Sequence, residues 1–389
     1  MFEKFAFDAF LKSLENIRHG SFEVISPEGK KYLFEGNMPG PKANMKINSY
    51  DVITNLATKG DIGFAEDYRD GKWDSENLPA LIYVALKNED ALNSYIYGTS
   101  FYRVVAQFVN FFKRNNLKGS KRNIQAHYDL GNDFYSLWLD QTMTYSSAIF
   151  SNDNEPLAKA QHNKYDRILG LLGDNSGDIL EIGCGWGGFA ERAITTKDHR
   201  ITGITLSNEQ HEFANNRLKD LKGNSNIVIE DYRRQEGKFD NIVSIEMFEA
   251  VGEKYWSTYF NKIASALNQK GKAVVQTITI ADEYFESYRK GGDMIRNFIF
   301  PGGMLPSAER FEYEAKKAGL KITDKFHFGK DYARTLDNWL QTFNSKIAEV
   351  KALGFDDKFI RIWKLYLASC IASFSVERTD VMQVELQHA

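Results

Sequence analysis

Between residues 179 and 190 the chain reads ILEIGCGWGGFA, an apolar run containing Glu181 followed by Gly183, Gly185, Gly187 and Gly188. A strand that passes through glycines into a helix lets backbone approach a ligand closely, so this stretch is where a nucleotide-like cofactor would bind. Gly183, Gly185 and Gly188 satisfy the dinucleotide spacing G-x-G-x-x-G. That spacing leaves two chemistries open: hydride transfer with a nicotinamide, or methyl transfer from S-adenosylmethionine.

A nicotinamide site wants an acid about 20 residues further on, at the end of the second strand, for the ribose hydroxyls. The corresponding stretch, ITGITLSNEQ, ends its strand on Thr205 and Ser207, with no carboxylate before Glu209. Glu181 would also repel a diphosphate. S-adenosylmethionine has no phosphate and carries a sulfonium cation, so an acid beside the turn attracts it. Glu230 and Asp231 close the third strand, where an adenine amino group could be read. Methyl transfer is the leading expectation, ahead of an oxidoreductase, a non-enzymatic lipid carrier and a strand-to-helix turn with no ligand.

The elements that must position these residues alternate from about residue 156. Helical AQHNKYDRILGLL is followed by strand DILEI, a helix after the glycines, strand RITGIT and helix SNEQHEFANNRLKDL. Then come strands NIVIED and FDNIVSIE, helix EKYWSTYFNKIASAL and strand KAVVQTITI. Alternation with helices of this length predicts a mostly parallel sheet covered on both faces, with ligands beyond the carboxyl ends of its strands. Upstream, Phe2, Phe5, Phe10, Leu14 and Ile17 predict an amphipathic helix, residues 21–50 short strands, and residues 50–97 helices. The expected organisation is a small α+β domain over residues 1–100, a linker over 101–122 and the α/β domain over 123–389.

With 389 residues, 26% charged and a formal net charge of −3, the chain shows no global basic excess for nucleic acid. A local one exists in FVNFFKRNNLKGSKRN, where Lys113, Arg114, Lys118, Lys121 and Arg122 adjoin Phe108, Phe111 and Phe112. That mixture suits either a solvated linker or an anionic membrane surface. Two cysteines, Cys184 and Cys370, argue against a disulfide framework, and seven histidines form no metal motif. No run reaches the roughly 18 apolar residues of a membrane span, and the first residues lack a signal-peptide pattern. A cytoplasmic protein, peripheral to the inner face of the membrane, is expected.

AHYDLGNDFYSLWLDQTMTYSSAIF (126–150), LEIGCGWGGFA, GITLSNEQ, SIEMFEAVGEKYW and FIFPGGMLPS occur in that order. Together they resemble the cyclopropane-fatty-acyl-phospholipid synthase and mycolic acid cyclopropane synthase family. The resemblance implies a Rossmann-like S-adenosylmethionine methyltransferase domain with a smaller α+β amino-terminal domain. It also implies methyl transfer to a cis double bond of an unsaturated phospholipid acyl chain, ending in a cyclopropane ring. A methyl- or methylene-branched product is the alternative, and a homodimer is compatible with either.

Carried over by motif, the cofactor contacts implied are Tyr145, Ser146, Gly183, Gly185, Thr205, Gln210, Asp231 and Tyr232, beside Glu181 and Gly187 in the turn. Gln210 would hold the ribose in place of the missing acid. The resemblance also implies a bicarbonate base held by a Cys, a Glu, a His and a Tyr. Glu249 in MFEAVG and Tyr332 in DYARTL match, whereas Ser147 stands at the Cys position and Gln276 at the His position. Ser and Gln still donate hydrogen bonds, but Gln276 cannot carry a proton, so bicarbonate stays open. Tyr288, Phe298, Phe300, Tyr332 and Trp339 are candidates to stabilise a carbocation. Residues 281–307, too long for an ordinary connection, are expected to cover the cleft.

Overall fold

The computed structural model describes residues 2–96, 130–173, 177–221 and 223–389. The basic run and His127 lie outside the described residues. Two compact units form. The first combines the described amino-terminal residues with Glu286–Pro301 and Ile347–Arg378, and the second holds the rest, including Gly302–Lys346 and Thr379–Ala389. Both downstream segments of the first unit had been assigned by the sequence reading to residues 123–389.

In the first unit, β1 (His19–Ile25) lies between β2 (Lys31–Glu35) and β3 (Met38–Ile47), with β4 (Trp73–Asp74) at the far edge. β1 runs antiparallel to β2 and parallel to β3. The amino-terminal helix Phe2–Leu14 turns Phe7, Phe10 and Leu14 inward, while Phe5, expected in the apolar stripe, is 71% exposed. Helices Asp51–Arg69, Leu78–Lys87 and Asp357–Ser375 pack together, burying Val52, Ile53, Leu81, Val84, Trp363 and Leu367. Arg361 ties this cluster by donating to the carbonyls of Tyr68 and Trp73 and pairing with Asp74 at 2.7 Å.

Residues 281–307, expected as a cleft cover, are divided between the two units. They fold as helices Asp282–Lys290 and Met294–Phe298, and Glu286–Pro301 belongs to the first unit. There the Met294 N–H donates to Asp61 at 3.0 Å, and the Phe300 ring meets Tyr366 edge-on. Burial, aided by the charge of Asp293, pushes the Asp61 carboxyl up to about 7. Tyr288, Phe298 and Phe300 belong to this unit, where Arg296 lies over the Tyr288 ring.

The second unit is built on a seven-stranded sheet ordered β10-β11-β9-β8-β5-β6-β7. The five strands read from the sequence are β5 (Asp178–Ile182), β6 (Arg200–Thr205), β7 (Ser225–Ile229), β8 (Phe239–Ile245) and β9 (Leu267–Ile280), all parallel. Two further strands, β10 (Leu320–His327) and β11 (Thr379–His388), extend it with antiparallel pairing. Helices Leu157–Leu172 and Gly188–Lys197 pack on the sheet through Ile168, Leu169, Phe189 and Ala193 against Ile179, Val243 and Val274. Each such side chain contributes about 1.5–3 kcal/mol on burial. The fold is Rossmann-like α/β.

Strand order reverses at β5, with β6 and β7 to one side and β8 and β9 to the other. A crevice thus opens beyond the carboxyl ends of β5 and β8. Register brings Ile245 beside Gln276, and Gln276 beside Gln383.

Candidate active site

The glycine turn leaves β5 at that crevice. Gly183 and Cys184 both donate backbone N–H to the Ile204 carbonyl at 3.0 Å, which holds the turn against β6. Gly183 (φ +81°) lies against Met247, where a Cβ would come within 2.8 Å of the Met247 side chain. Gly185 has φ +51° and open space where its Cβ would be; Gly187, left-handed, caps helix Gly188–Lys197. A cleft lined by Tyr145, Ser146, Glu181, Gly183, Gly185, Thr205, Gln210, Glu230, Tyr232 and Glu246 runs along these strand ends.

Glu181 fits a cationic ligand. It is buried, and its Oε2 has no hydrogen-bond partner among the described residues. Burial holds its carboxyl well above the usual range, against the pull of Arg217 and Lys164. A sulfonium nearby would favour its charged form, whereas a diphosphate would not. On the far wall the Thr205 hydroxyl donates to Gln210 Oε1 at 2.8 Å, and Ser207 caps helix Asn208–Arg217. These residues fit S-adenosylmethionine.

Asp231 does not join them. Its carboxylate is gripped bidentately by Arg233 at 2.6 and 2.8 Å, while its neighbours Glu230 and Tyr232 line the cleft. Trp186 also lines it, its indole N–H donating to Asn132 at 2.6 Å. Tyr145 packs among Tyr135, Trp138 and Trp339 in tilted and edge-on contacts, with ring centroids about 5.5 Å apart. Tyr332 lies 6.2 Å from Trp339; these two candidate rings belong to this unit, and Tyr288, Phe298 and Phe300 to the first.

The set assigned to bicarbonate is organised around a residue the sequence reading passed over, Glu246. Tyr332 donates its hydroxyl to Glu246 Oε2 at 2.5 Å. Gln276 Nε2 donates to Oε1 at 2.7 Å and the Ser147 backbone N–H to the same oxygen at 2.8 Å. The Ser147 hydroxyl points elsewhere, to the Ala148 carbonyl. Glu249 is not the shared partner of these three. Its Oε1 accepts from Thr277 and from the Ile278 N–H, and its Oε2 has no hydrogen-bond partner among the described residues. Donors that would hold a free anion are taken by a carboxylate of the chain itself, so the residues do not fit bicarbonate.

Electrostatics separate the two acids. Burial, and then the charge of Glu246, pushes Glu249 up to about 8, so it is protonated at neutral pH. Burial also raises Glu246, but the Tyr332 hydrogen bond, Lys164 and the two N–H donors pull it back toward the charged form. Lys164 is fully buried, donates to Ser146 Oγ at 2.6 Å and is lowered by burial to about 7 despite Glu246, Asp140 and Glu181.

Glu246 is placed by β8, whose last residue it follows, and by its own N–H bonding the Gln276 carbonyl at 2.8 Å. Its φ is +49°, a left-handed conformation that costs a non-glycine residue about 1–2 kcal/mol. Gln276 is oriented from behind. Arg167, paired with Asp324, donates to Gln383 Oε1 at 3.0 Å, and Gln383 Nε2 donates to Gln276 Oε1 at 2.9 Å, turning the Gln276 N–H toward Glu246. The available sequence signal for Glu246 was an acid directly after a strand at the reversal point, in the same SIEMFE from which only Glu249 was taken.

Among the described residues no group of three or more His, Cys, Asp or Glu is arranged to hold a metal, and no helix is long and apolar enough to cross a membrane. Residues 115–384 match the family described as mycolic acid cyclopropane synthetase. The chain is 35% identical over 340 residues to the tuberculostearic acid methyltransferase UfaA1 of Mycobacterium tuberculosis, covering 84% of this chain and 79% of that protein. It is 31% identical over 368 residues to the cyclopropane-fatty-acyl-phospholipid synthase of Escherichia coli K12, covering 93% and 91%. The solved structure of mycolic acid cyclopropane synthase CmaA1, complexed with SAH and CTAB, superposes with a TM-score of 0.63 at 31% identity, covering 69% of this chain and 98% of that one. The chain belongs to the mycolic acid cyclopropane synthetase family and is an S-adenosylmethionine-dependent methyltransferase of the cyclopropane-synthase type.

Proposed function

We propose that this enzyme methylates a cis double bond in an unsaturated acyl chain of a membrane phospholipid and closes a cyclopropane ring. The observation that carries the reading is the acid-lined cleft at the strand reversal, with Tyr145 in its wall and Trp339 and Tyr332 packed in series behind that ring, in a chain aligned over nine-tenths of its length with a cyclopropane-fatty-acyl-phospholipid synthase. When bound, S-adenosylmethionine supplies the methyl group to the alkene and leaves a cation on the acyl chain. Glu181 would hold the sulfonium end by charge, and Gln210, whose oxygen accepts from Thr205, would offer its amide N–H groups to the ribose. An alkene is a weak nucleophile, so alignment and exclusion of water supply much of the rate. Aromatic faces steady the cation without trapping it.

A second reading, a methyl- or methylene-branched product, is favoured by the 35% identity to a tuberculostearic acid methyltransferase and by the glutamine at position 276. In both readings the enzyme works from the cytoplasm at the inner face of an anionic membrane. The basic run at residues 113–122 and the exposed Phe5, Leu33 and Met38 support that placement. Mass spectrometry of lipids from cells expressing the protein tests the proposal. One added CH2 with loss of the double bond means a ring, one CH2 with an alkene kept means methylene, and one CH2 plus two hydrogens means a saturated branch. Unchanged phospholipid chains would overturn the phospholipid assignment.

A further inference from the structure

We propose that Glu246 is the base of this enzyme, a built-in carboxylate that takes the place of a bound bicarbonate ion. The inference rests on the reading of acyl-chain methylation above and names the group that ends the reaction. A base is needed once the alkene π electrons have bonded to the transferred methyl carbon. For a ring, a C–H bond of that methyl breaks, its electron pair forms the third ring bond, and the proton passes to a Glu246 oxygen. For a methylene product, the hydrogen of the methylated carbon first moves with its electron pair to the neighbouring cation; a C–H bond of the methyl then breaks, its electron pair forms the carbon–carbon double bond, and the proton has the same destination.

Three observations converge on Glu246. Its two oxygens take three donors, Tyr332, Gln276 and the Ser147 N–H. These are three of the four positions the family resemblance assigns to the anion. The donor chain from Arg167 through Gln383 and Gln276 has one polarity, and each link presents N–H toward the next acceptor, ending on a carboxylate. Glutamine at 276 is suited to hold such a carboxylate because it donates without competing for the proton. Finally, an acid is kept where the backbone, at φ +49°, favours glycine. Glu246 also lines the cleft, so a substrate carbon can reach it. Burial raises its proton affinity above that of an ordinary carboxylate, the direction that favours a general base.

Turnover of wild type on vesicles of dioleoylphosphatidylglycerol, in decarbonated buffer and with added bicarbonate, is compared with that of Glu246→Gln and Glu246→Gly. Wild type should turn over equally in both buffers, and Glu246→Gln should fall by about 100-fold or more, the range of a lost general base. Glu246→Gly relieves the backbone and removes the carboxylate, so it should be inactive without bicarbonate and recover with it. Calorimetry gives a readout apart from turnover: bicarbonate should bind Glu246→Gly and not wild type, while S-adenosylhomocysteine binds both. Wild type that binds bicarbonate or depends on it, or Glu246→Gln at full activity, would overturn the proposal. If Glu246→Gly fails to fold, the wild-type bicarbonate measurements and Glu246→Gln decide it. Wild type that methylates no acyl chain overturns the functional reading instead.

Discussion

Burial raises both of two acids three residues apart, but only Glu246 has donors on both oxygens to draw it back. Glu249 is pushed up to about 8, so the folded chain keeps a proton that the unfolded chain loses near 4.5. The folded state therefore binds more protons between those values, and this group's contribution makes stability fall as pH rises from about 4.5 to 8. Glu249→Gln removes the titration. Urea unfolding midpoints should drop less between pH 5.5 and pH 8 in the variant than in wild type, and equal drops would mean Glu249 is charged in the fold. Because an amide resembles a protonated carboxyl, Glu249→Gln should keep turnover at pH 7 within about tenfold, short of the loss expected for an essential general base. The sequence pointed to this neighbourhood, but it could not show which acid meets Tyr332. That choice depends on the left-handed turn after β8 and on Gln276 one strand away, neither of which is a local pattern.

The five parallel strands were legible because each is a short apolar run separated by a helix-length segment. β11 was not, since six consecutive buried residues, Val381–Leu386, erase the alternation that marks a strand, and it follows a long helix with no glycine-rich turn. Its absence from the sequence reading hid Gln383, and with it the support behind Gln276. The glycine turn was legible in position, and its geometry separates two substitutions. Gly183→Ala would combine strain at φ +81° with a contact to Met247, the residue after Glu246. Gly185→Ala has strain of about 1–2 kcal/mol and no protein atom within contact of the new methyl, which instead enters the cleft. S-adenosylhomocysteine binding should weaken by at least about tenfold in both, as about 1.4 kcal/mol of lost contact suffices. Only Gly183→Ala should lower the melting temperature by more than about 4 °C. Calorimetry and thermal melts read the two effects, and a Gly185→Ala protein that binds normally would move the ligand away from this turn.

At the scale of the whole molecule, the first unit is assembled from three stretches that the linear sequence keeps far apart. Helix Asp357–Ser375 was read as a piece of the α/β domain because its apolar pattern says that it is buried, not against what. In the fold its partners are helices Asp51–Arg69 and Leu78–Lys87, and Arg361 closes the carbonyls of Tyr68 and Trp73. Glu286–Pro301 adds the bond from Met294 to Asp61, a buried acid that would be left without that donor if the two stretches were separated. Deleting residues 1–96 therefore does not release a finished domain. It strips cover from Ile360, Trp363 and Leu367, each worth about 1.5–3 kcal/mol when buried, and leaves an apolar face of the kind that drives aggregation. The truncated chain should be recovered mainly in inclusion bodies, or as a soluble species that binds a hydrophobic dye and melts below the full chain. A monodisperse truncated protein with the full chain's melting temperature would show that helix Asp357–Ser375 finds its stability without the amino-terminal helices.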